Sequence, residues 1–498
     1  MKYTSTRNNS LKIDSALAIK QGLSTEGGLF VPEEFPQISL EEIEKIAKLS
    51  YVEKATYILK KFLTDYKVKE VRECAVKAYS GAKFDKRKPA PLLKLSDSEF
   101  VLELWHGPTC AFKDMALQIL PHLLTTAMAK TGEDKTVVIL VATSGDTGKA
   151  ALEGFKDVDG TKIIVFYPSD GVSDIQKLQM ITQEGKNVCV SGIYGNFDDA
   201  QTGVKTIFTD NEVKEKLLNK NYVLSSANSI NWGRLAPQIV YYISAYCDML
   251  ISGEITLGDK INVCVPTGNF GNILAAYYAM KMGLPVNKLI CASNCNNILT
   301  DFMQTGTYDR NRQFHTTISP SMDILISSNL ERLLYDLSGC DDKVVSGLMN
   351  ELRETGKYTV PGNIFEQIRE FFWAGCCDDY FTKERIYKVK ERHNYTADTH
   401  TAVALDVYNQ YKEQTGDNTK TVIASTASPY KFNESVLSAL GKESEMANKD
   451  DFELLELLSK VSGTDIPKGL KTLKNKKIRF NNVCDKNDML KAVEKFLK

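Results

Sequence analysis

A lysine that follows a predicted strand is the first residue that could carry covalent chemistry. The apolar run at residues 100–105 leads into a Gly107-Pro108 turn, and Lys113 stands at the start of a helix-like stretch, residues 114–120. The first turn of a helix is a positive environment that disfavours a protonated amine. A neutral lysine amine is the nucleophile that forms a Schiff base with a carbonyl compound. The alternative is a solvated surface lysine, which is the common environment for this residue type.

A second candidate segment follows the apolar run at residues 136–142 and combines hydroxyl, glycine and carboxylate residues: Ser144, Gly145, Asp146, Thr147 and Gly148. Glycine permits close backbone approach, and the free N–H groups at a helix start favour an anion or an oxygen ligand. The segment is not a Walker A loop, because its two glycines are too close together and Lys149 is not followed by Ser or Thr. The alternative is an ordinary tight turn between a strand and a helix.

A third segment lies between the apolar run at residues 261–266 and a helix-like stretch at 273–280, and consists of Gly268, Asn269, Phe270, Gly271 and Asn272. Two glycines and two carboxamides at a helix start form a phosphate cradle that needs no arginine. The dinucleotide fingerprint needs a third glycine and an acidic residue about 20 positions on, and both are missing. The segment therefore predicts a monophosphate ligand rather than NAD.

A fourth segment ends the apolar run at residues 421–426 with hydroxyl side chains, among them Thr426 and Ser428. Taken alone, it indicates only that Ser428 caps the helix that follows.

The elements that must position these segments are short apolar runs that end in Gly, Ser, Asn or Pro: residues 136–142, 162–167, 222–227, 261–266, 288–293 and 421–426. Near-continuous apolar runs of this length predict strands buried on both faces, which is typical of a parallel sheet covered by helices. Such α/β sheets bind ligands at the carboxyl ends of their strands, where the four segments lie.

Two regions do not show this alternation of strand and helix. Residues 40–66 have helical spacing and are followed by a charged, Pro-bearing linker at 83–91, which predicts a separate N-terminal helical domain ending near residue 95. Residues 327–392 indicate a helical insertion without strands.

Bulk composition excludes several classes of protein. The chain has 498 residues and a net charge of −1, so it has no overall field to hold nucleic acid or anionic membrane. No apolar run approaches the roughly 20 residues of a membrane span, and residues 1–14 lack a signal-peptide core. Eleven cysteines without framework or zinc-site spacing predict reduced thiols, a cytoplasmic location and no metal.

Together these segments resemble the threonine synthase family, in the fold-type II group of pyridoxal 5′-phosphate (PLP) enzymes. The resemblance runs the length of the chain. It is carried by YTSTR at residues 3–7, GLSTEGGLFVP at 22–32, HGPTCAFKD at 106–114, SGDTG at 144–148 and GNFGN at 268–272. Position 110 is a cysteine where an apolar residue is expected, and Ser428 stands where bacterial relatives often have His.

The resemblance implies a role for each segment. Lys113 would bind the cofactor covalently, residues 268–272 would bind its phosphate, and the Thr426 hydroxyl would meet the pyridine nitrogen. Residues 144–147 would lie near the substrate carboxylate. A further similar segment, SSANSINWGR at 225–234, supplies Asn228, Asn231 and Arg234 as candidates for the substrate phosphate, since a guanidinium offers bidentate contact. A structural ion pair is the alternative for Arg234.

The fold that the resemblance implies is that of the tryptophan synthase β subunit, with two open, mostly parallel sheets covered by helices and a mainly helical N-terminal domain. We divide the chain into residues 1–95, a smaller α/β domain at 96–235 and a larger α/β domain at 236–498 that carries the helical insertion. The protein would be a monomer or a homodimer with a small-molecule substrate.

The implied reaction converts O-phospho-L-homoserine and water to L-threonine and phosphate, with Lys113 as covalent anchor and then as general base. Two alternatives remain at this point. One is another fold-type II reaction, such as phosphate elimination to 2-oxobutyrate or serine/threonine dehydration. The other is a non-catalytic phospholigand-binding protein.

Overall fold

A computed structural model describes residues 1–143, 145–170 and 172–498. Its N-terminal part combines a small sheet with four helices: β1 (Tyr3–Ser5), β2 (Asn8–Ile13), α1 (Ser15–Gln21), β3 (Phe30–Pro32), α2 (Leu40–Ala47), α3 (Tyr51–Phe62) and α4 (Val68–Tyr79). The strands form an antiparallel sheet in the order β2-β1-β3. Capping boxes at Ser39 and Ser50 start α2 and α3, so the helical stretch predicted at 40–66 is two helices.

The next part of the chain alternates strands and helices: β4 (Leu92–Lys94), β5 (Glu99–Glu103), α5 (Asp114–Leu117), α6 (Leu120–Lys130), β6 (Thr136–Ala142), α7 (Asp146–Phe155), β7 (Thr161–Pro168), α8 (Asp174–Ile181), β8 (Val188–Tyr194), α9 (Phe197–Thr209), α10 (Asn211–Leu218), β9 (Tyr222–Ser225) and α11 (Trp232–Ile251). The predicted helix at 114–120 is broken after Leu117, and α6 begins at Leu120 with Pro121 in its first turn, a position that needs no backbone N–H.

The last part contains β10 (Ile261–Pro266), α12 (Gly271–Lys281), β11 (Val286–Ser293), α13 (Ile298–Thr305), β12 (Thr307–Asp309), α14 (Leu330–Leu337), α15 (Asp342–Thr355), β13 (Lys357–Thr359), α16 (Gly362–Phe371), β14 (Phe372–Cys376), α17 (Asp379–His393), α18 (Thr399–Thr415), β15 (Thr421–Ser425), α19 (Asn433–Ala439), α20 (Glu443–Met446), α21 (Asp451–Ser462), α22 (Lys468–Lys471), β16 (Val483–Asp485) and α23 (Met489–Phe496). Two 3₁₀ turns matter below, Pro320–Met322 and Pro429–Phe432.

Two larger sheets carry the predicted strands. The five-stranded sheet has the order β16-β8-β7-β6-β9 and is parallel throughout. The six-stranded sheet has the order β14-β11-β10-β15-β5-β4 and is parallel except for the pairing of β4 with β5. All six predicted apolar runs are strands of these two sheets. The expectation of two open, mostly parallel sheets is therefore confirmed.

The segment 327–392 differs from its prediction. Besides helices it contains β13 and β14, and β14 pairs in parallel with β11 at the edge of the six-stranded sheet. The expectation of a segment without strands is wrong, because β14 is a short run that directly follows α16 and therefore reads as a continuation of that helix. The division of the chain at residues 95 and 235 stays a prediction. The six-stranded sheet includes β4 and β5, which precede β6 in the chain, whereas its other four strands follow β9.

Helix α11 joins the N-terminal part to the α/β part. Nearly all of its residues are buried, and it contacts α2, α3, α5 and α12. At its start the Trp232 ring lies 5.4 Å from the Tyr3 ring and 5.4 Å from the Phe62 ring. The N-terminal part therefore shares one continuous core with the region around α12. Among the described residues, no helix has both the length and the apolar character needed to cross a membrane.

Candidate active site

The side chain of Lys113 lies in a buried position at the ends of neighbouring parallel strands. Its segment follows β5, and β15 and β10 are the next strands of the same sheet. The side chain is 13% exposed, and its Nζ lies 3.5 Å from Asp146 Oδ2 and 3.3 Å from Ser321 Oγ. The alternative of a solvated surface lysine is therefore wrong.

Burial makes Lys113 a poor ammonium ion. Burial lowers the pKa of this amine, the charge of Asp146 opposes that effect, and Lys431 and Arg234 add to it. The helix that follows, α5, is a single turn of four residues. Desolvation rather than a helix dipole is thus the main cause of the lowered pKa of Lys113.

The Gly145 turn (residues 145–148) brings Asp146 to Lys113. Gly145 has φ 155°, and a Cβ there would lie 2.7 Å from the Gln176 amide, so a glycine is needed. The Thr143 hydroxyl accepts from the backbone N–H groups of Gly145 and Gly148 at 3.0 Å, which fixes the turn. Thr147 is half-buried beside it. Ser144, which was predicted to belong to this site, lies outside the described residues.

Asp146 is a buried carboxylate held by several donors. Its Oδ1 accepts from Gln176 Nε2 at 2.9 Å and pairs with Lys431 Nζ. Burial alone would raise its pKa, but Lys431 and Lys113 hold that pKa well below its usual range. Asp146 is therefore an anion in the folded protein.

The Gly268 turn (residues 268–272) joins β10 to α12 and contains no ionisable side chain. Phe270 adopts a left-handed conformation with φ 63°, and the turn carbonyls are fixed by Ser327 Oγ, which donates to Gly268 O, and Asn329 Nδ2, which donates to Asn269 O. A Cβ on Gly268 would lie 2.7 Å from the carbonyl oxygen of Ser321. Ser321 therefore contacts both this turn and Lys113.

Asn272 carries an unused donor in this turn. The hydroxyls of Tyr241 and Tyr242 both donate to its Oδ1, whereas its Nδ2 is buried and has no partner among the described residues. A buried donor without an acceptor costs about 1–3 kcal/mol, so an oxygen-bearing ligand at this point would be stabilised. The side chain of Asn269 is exposed.

Thr426 lies next to the Lys113 segment. Its carbonyl accepts from the N–H of Phe112 at 2.8 Å, and an isolated bridge pairs Ala111 with Ala427. Ser428 accepts from the N–H of Tyr430, which confirms its predicted capping role. Cys110 is fully buried with φ 60°, and burial raises the pKa of its thiol far above the usual range, so it is an inert apolar residue here.

The segment 225–234 shows three different environments for its predicted residues. Arg234 is buried, donates from Nη1 to Ala227 O at 3.0 Å, and keeps its Nε without a partner among the described residues. Burial lowers its pKa to about 10, and no described carboxylate pairs with it, so the ion-pair alternative is wrong. The Asn231 amide donates to Ile19 O and Ser226 O and accepts from Gly233 N–H, as a helix cap. Asn228 is exposed.

Several residues of this site were not predicted from the sequence. They are Lys431, Ser321, His400 and Asp398. His400 Nε2 accepts from the N–H of Ser321 at 3.1 Å, and its Nδ1 lies 2.8 Å from Asp398 Oδ2. The Asp398–His400 pair thus holds the loop that contacts Lys113 and Gly268. No local motif indicates a role for Lys431 or Ser321. The polar run Asp-x-His-Thr at residues 398–401, at the start of α18, is the one sequence signal for Asp398 and His400.

The arrangement combines three chemical capacities. A largely buried lysine with a lowered pKa can, as the free amine, attack a carbonyl carbon or remove a proton. The Gly268 turn, at the start of an eleven-residue helix, offers uncharged donors to an anion. Arg234 offers a free guanidinium N–H in a buried position, which suits a second anion.

Three family models match successive parts of the chain. They are described as "Threonine synthase N terminus" at residues 2–79, "Pyridoxal-phosphate dependent enzyme" at 84–356 and "Threonine synthase, C-terminal" at 401–497. The match to the second alone covers more than half of the chain.

Individual relatives agree with these models. Human threonine synthase-like 1 is 41% identical over 433 residues, which are 85% of this chain and 57% of that protein. The chain therefore spans less than two thirds of the length of that relative. Threonine synthase from Pseudomonas aeruginosa is 40% identical over 443 residues, which are 88% of this chain and 90% of that enzyme.

Among solved structures, PLP-bound threonine synthase from Brucella melitensis superposes with a TM-score of 0.88 at 36% identity, covering 100% of this chain and 98% of the other. Lys113, the two glycine turns and α12 lie within the part matched by the second family model. The chain belongs to the threonine synthase family of pyridoxal-phosphate-dependent enzymes.

Proposed function

We propose that this protein is a PLP-dependent threonine synthase that converts O-phospho-L-homoserine and water to L-threonine and phosphate. The observation that carries the proposal is the buried amine of Lys113, contacted by Asp146 and Ser321 and linked through Ser321 to the Gly268 turn. A phospholigand-binding protein without catalysis would have no need of a desolvated lysine beside such a turn.

The residues present fit PLP. The buried Asn272 Nδ2 lacks an acceptor, and the Gly268 turn is too crowded for a Cβ, as expected of a phosphate site formed by backbone and amide groups. Lys113 would hold the cofactor covalently, residues 268–272 would bind its phosphate, and the Thr426 hydroxyl would meet its ring nitrogen. When bound, PLP supplies an electron sink for carbanions next to the substrate nitrogen.

Lys113 is the group that moves protons in this proposal. Conversion to threonine requires that Cα and Cβ each lose a proton and that phosphate leaves Cγ. A proton then adds to Cγ, hydroxide from water adds to Cβ, and Cα regains its proton. When its amine is free, Lys113 would serve as the base at Cα and Cβ, and the burial that lowers its pKa favours the unprotonated form that this role needs.

The two ends of the substrate would be held by different segments. Backbone N–H groups of the Gly145 turn and the Thr147 hydroxyl would bind the α-carboxylate, with Ser144 as a further predicted member. Asp146 cannot attract an anion itself, and its partner Lys431 neutralises it. Arg234 and Asn228 would bind the substrate phosphate, and Asn231 would keep their segment in place.

We further propose a cytoplasmic location and a monomer or homodimer. The eleven cysteines are all unpaired, and nine of them are buried or half-buried, which suits a reducing compartment.

Incubation of the purified protein with O-phospho-L-homoserine, with phosphate and threonine measured together, tests the proposal. We expect the two products in equal amounts. Phosphate with 2-oxobutyrate instead of threonine would show an elimination enzyme, and no turnover with no visible absorbance from added PLP would show a non-catalytic protein.

Replacing the lysine gives a sharper test of the same proposal. Lys113→Ala should lower kcat/KM by on the order of 1,000-fold or more, since both anchor and base are lost. Lys149→Met is the matched control, because Lys149 is a second buried lysine whose Nζ contacts Glu153 and Gln183. Threonine formation by Lys113→Ala at the normal rate would contradict the mechanism.

A further inference from the structure

Lys431 is a buried charge that no motif explains. It lies in the 3₁₀ turn Pro429–Phe432, a few residues beyond the end of β15, and its side chain is 0% exposed. Its Nζ pairs with Asp146 Oδ1 and lies 3.3 Å from the carbonyl oxygen of Thr109. Removing a lysine from water costs several kcal/mol unless it is paired, so this position implies a specific partner.

The two oxygens of Asp146 are divided between two lysines. Oδ1 is taken by Lys431 and by Gln176 Nε2 at 2.9 Å, whereas Oδ2 faces Lys113 Nζ at 3.5 Å. Lys431 also holds the Thr109 carbonyl, which belongs to the segment that ends at Lys113. One ammonium group therefore fixes both the carboxylate and the lysine segment.

The charge of Lys431 affects the ionisation of Lys113 through Asp146. Without Lys431, Asp146 would be a buried carboxylate whose only cationic contact among the described residues is Lys113, and such a pair favours the ammonium form of a lysine. With Lys431 present, Asp146 and Lys431 already cancel. A proton on Lys113 would then leave a net positive charge in a buried site.

We propose that Lys431 is a positioning residue that serves as the main counter-ion of Asp146, so that Asp146 stabilises a charge on Lys113 less than it would in an exclusive pair. This inference rests on the proposed function only in taking Lys113 as the residue that combines with PLP. It deepens that function by naming the group that favours the unprotonated form of the Lys113 amine without itself contacting the reacting atoms.

Other ionisable groups also face this pair. Arg234 from α11 adds a positive charge near Lys113, and Asp114 from α5 lies within electrostatic reach of Lys431. His400 from α18 contacts Ser321, which in turn contacts Lys113. Burial raises the pKa of Asp114 to about 7 and the charge of Lys431 opposes that effect, so Lys431→Met also changes the ionisation of Asp114, whereas Lys431→Arg keeps the charge that acts on it.

The test follows the rate at which added PLP combines with the full-length protein after its cofactor has been removed. The visible absorbance band is recorded as a function of pH, and the midpoint of the rate reports the ionisation of Lys113. In Lys431→Met, Asp146 loses its counter-ion, so the midpoint should rise by about 1–3 pH units. Lys431→Arg keeps the charge and should restore a midpoint close to that of the wild type.

Removing the carboxylate should have the opposite effect. Asp146→Asn leaves Lys431 uncompensated and should lower the midpoint, and the double variant Lys431→Met/Asp146→Asn should return close to the wild type. A purely structural role predicts no such restoration. The control Lys149→Met removes a buried lysine from α7, the helix that begins at Asp146, whose partners are Glu153 and Gln183, and should leave the midpoint unchanged.

Each outcome decides the inference. An unchanged midpoint in Lys431→Met, or in Asp146→Asn where Lys431→Met does not fold, overturns it, as does a double variant that behaves like Lys431→Met. If the wild-type protein forms no visible band with PLP, the proposed function fails instead, which distinguishes the two failures.

Discussion

The two glycine turns that are connected to Lys113 are built from opposite kinds of side chain. The Gly145 turn places a carboxylate, Asp146, against two lysines in a buried position. The Gly268 turn contains no ionisable group, and its polar atoms are held by amides and hydroxyls from Ser327, Asn329 and the tyrosines of α11. Both turns follow a parallel strand and start a helix, so their backbones alone do not explain the difference.

The difference follows from what each turn has to do. A turn that receives an anion gains from neutral donors, because a charged side chain there would either repel the ligand or need a counter-ion of its own. A turn beside a lysine that exchanges protons benefits from charged side chains, because their charges shift the balance between the protonated and the neutral form of the lysine. Under the proposed function, the Gly145 turn would set the ionisation of Lys113, and the Gly268 turn would hold the cofactor phosphate.

A charge introduced into the Gly268 turn should have the largest effect on the contrast between the two turns. Asn272→Asp keeps the acceptor used by Tyr241 and Tyr242 but replaces the free Nδ2 by a charged oxygen. Like-charge repulsion at contact distance should weaken PLP binding roughly 100- to 1,000-fold, about 3–4 kcal/mol. Equilibrium titration of the visible band with PLP measures this.

Asn269→Asp is the matched control in the same turn, because the Asn269 side chain is exposed and its charge is screened by water. Its effect should stay below about tenfold. If the two aspartates weaken binding equally, the side chain at 272 does not contact the ligand. Ligand binding by the Gly268 turn would then depend on its backbone N–H groups rather than on its neutral side chains.

A smaller effect should follow from adding one carbon to the Gly268 turn. In Gly268→Ala the new Cβ would lie 2.7 Å from the Ser321 carbonyl, so the loop that contacts Lys113 must move. Overpacking of this kind costs about 1–3 kcal/mol, which should appear as a roughly 5- to 150-fold loss of PLP affinity.

Gly347→Ala provides the control for the same substitution elsewhere. Gly347 lies inside α15 and no atom lies within 4 Å of the added Cβ, so this variant should be more stable by about 0.5–1 kcal/mol. A Gly268→Ala protein that binds PLP as tightly as the wild type would show that the Ser321 loop is free to adjust, which would contradict the link between the turns.

Sequence reasoning found the parts of this site that are local. Lys113 and both glycine turns could be placed because each follows an apolar strand run and carries its residue types within a few positions. The buried strands were predicted for the same reason. Helix ends were predicted less well, because the stretch after Lys113 breaks after Leu117 and the next helix begins at Leu120, one residue before Pro121.

The parts that were missed depend on contacts distant in the sequence. Lys431 lies 285 residues from Asp146, and a lysine after Ser-Pro-Tyr gives no sign of burial. Ser321 lies 208 residues from Lys113 and is held by His400, a further 79 residues on. Strand β14 was missed because it is an edge strand joined directly to α16.

The smallest effect concerns the asparagines that were grouped together as candidates for the substrate phosphate. The Asn231 amide caps α11, so Asn231→Ala should lower the free energy of unfolding by about 1 kcal/mol. Asn228 is exposed, and Asn228→Ala should change stability by less than about 0.5 kcal/mol while raising KM for O-phospho-L-homoserine if it reaches the substrate. Urea unfolding and steady-state kinetics on both variants separate the two roles. A rise in KM without loss of stability in Asn231→Ala would show that Asn231 binds the substrate rather than caps the helix. The segment 225–234 would then bind an anion through neutral amide groups, as the Gly268 turn does in the proposed function.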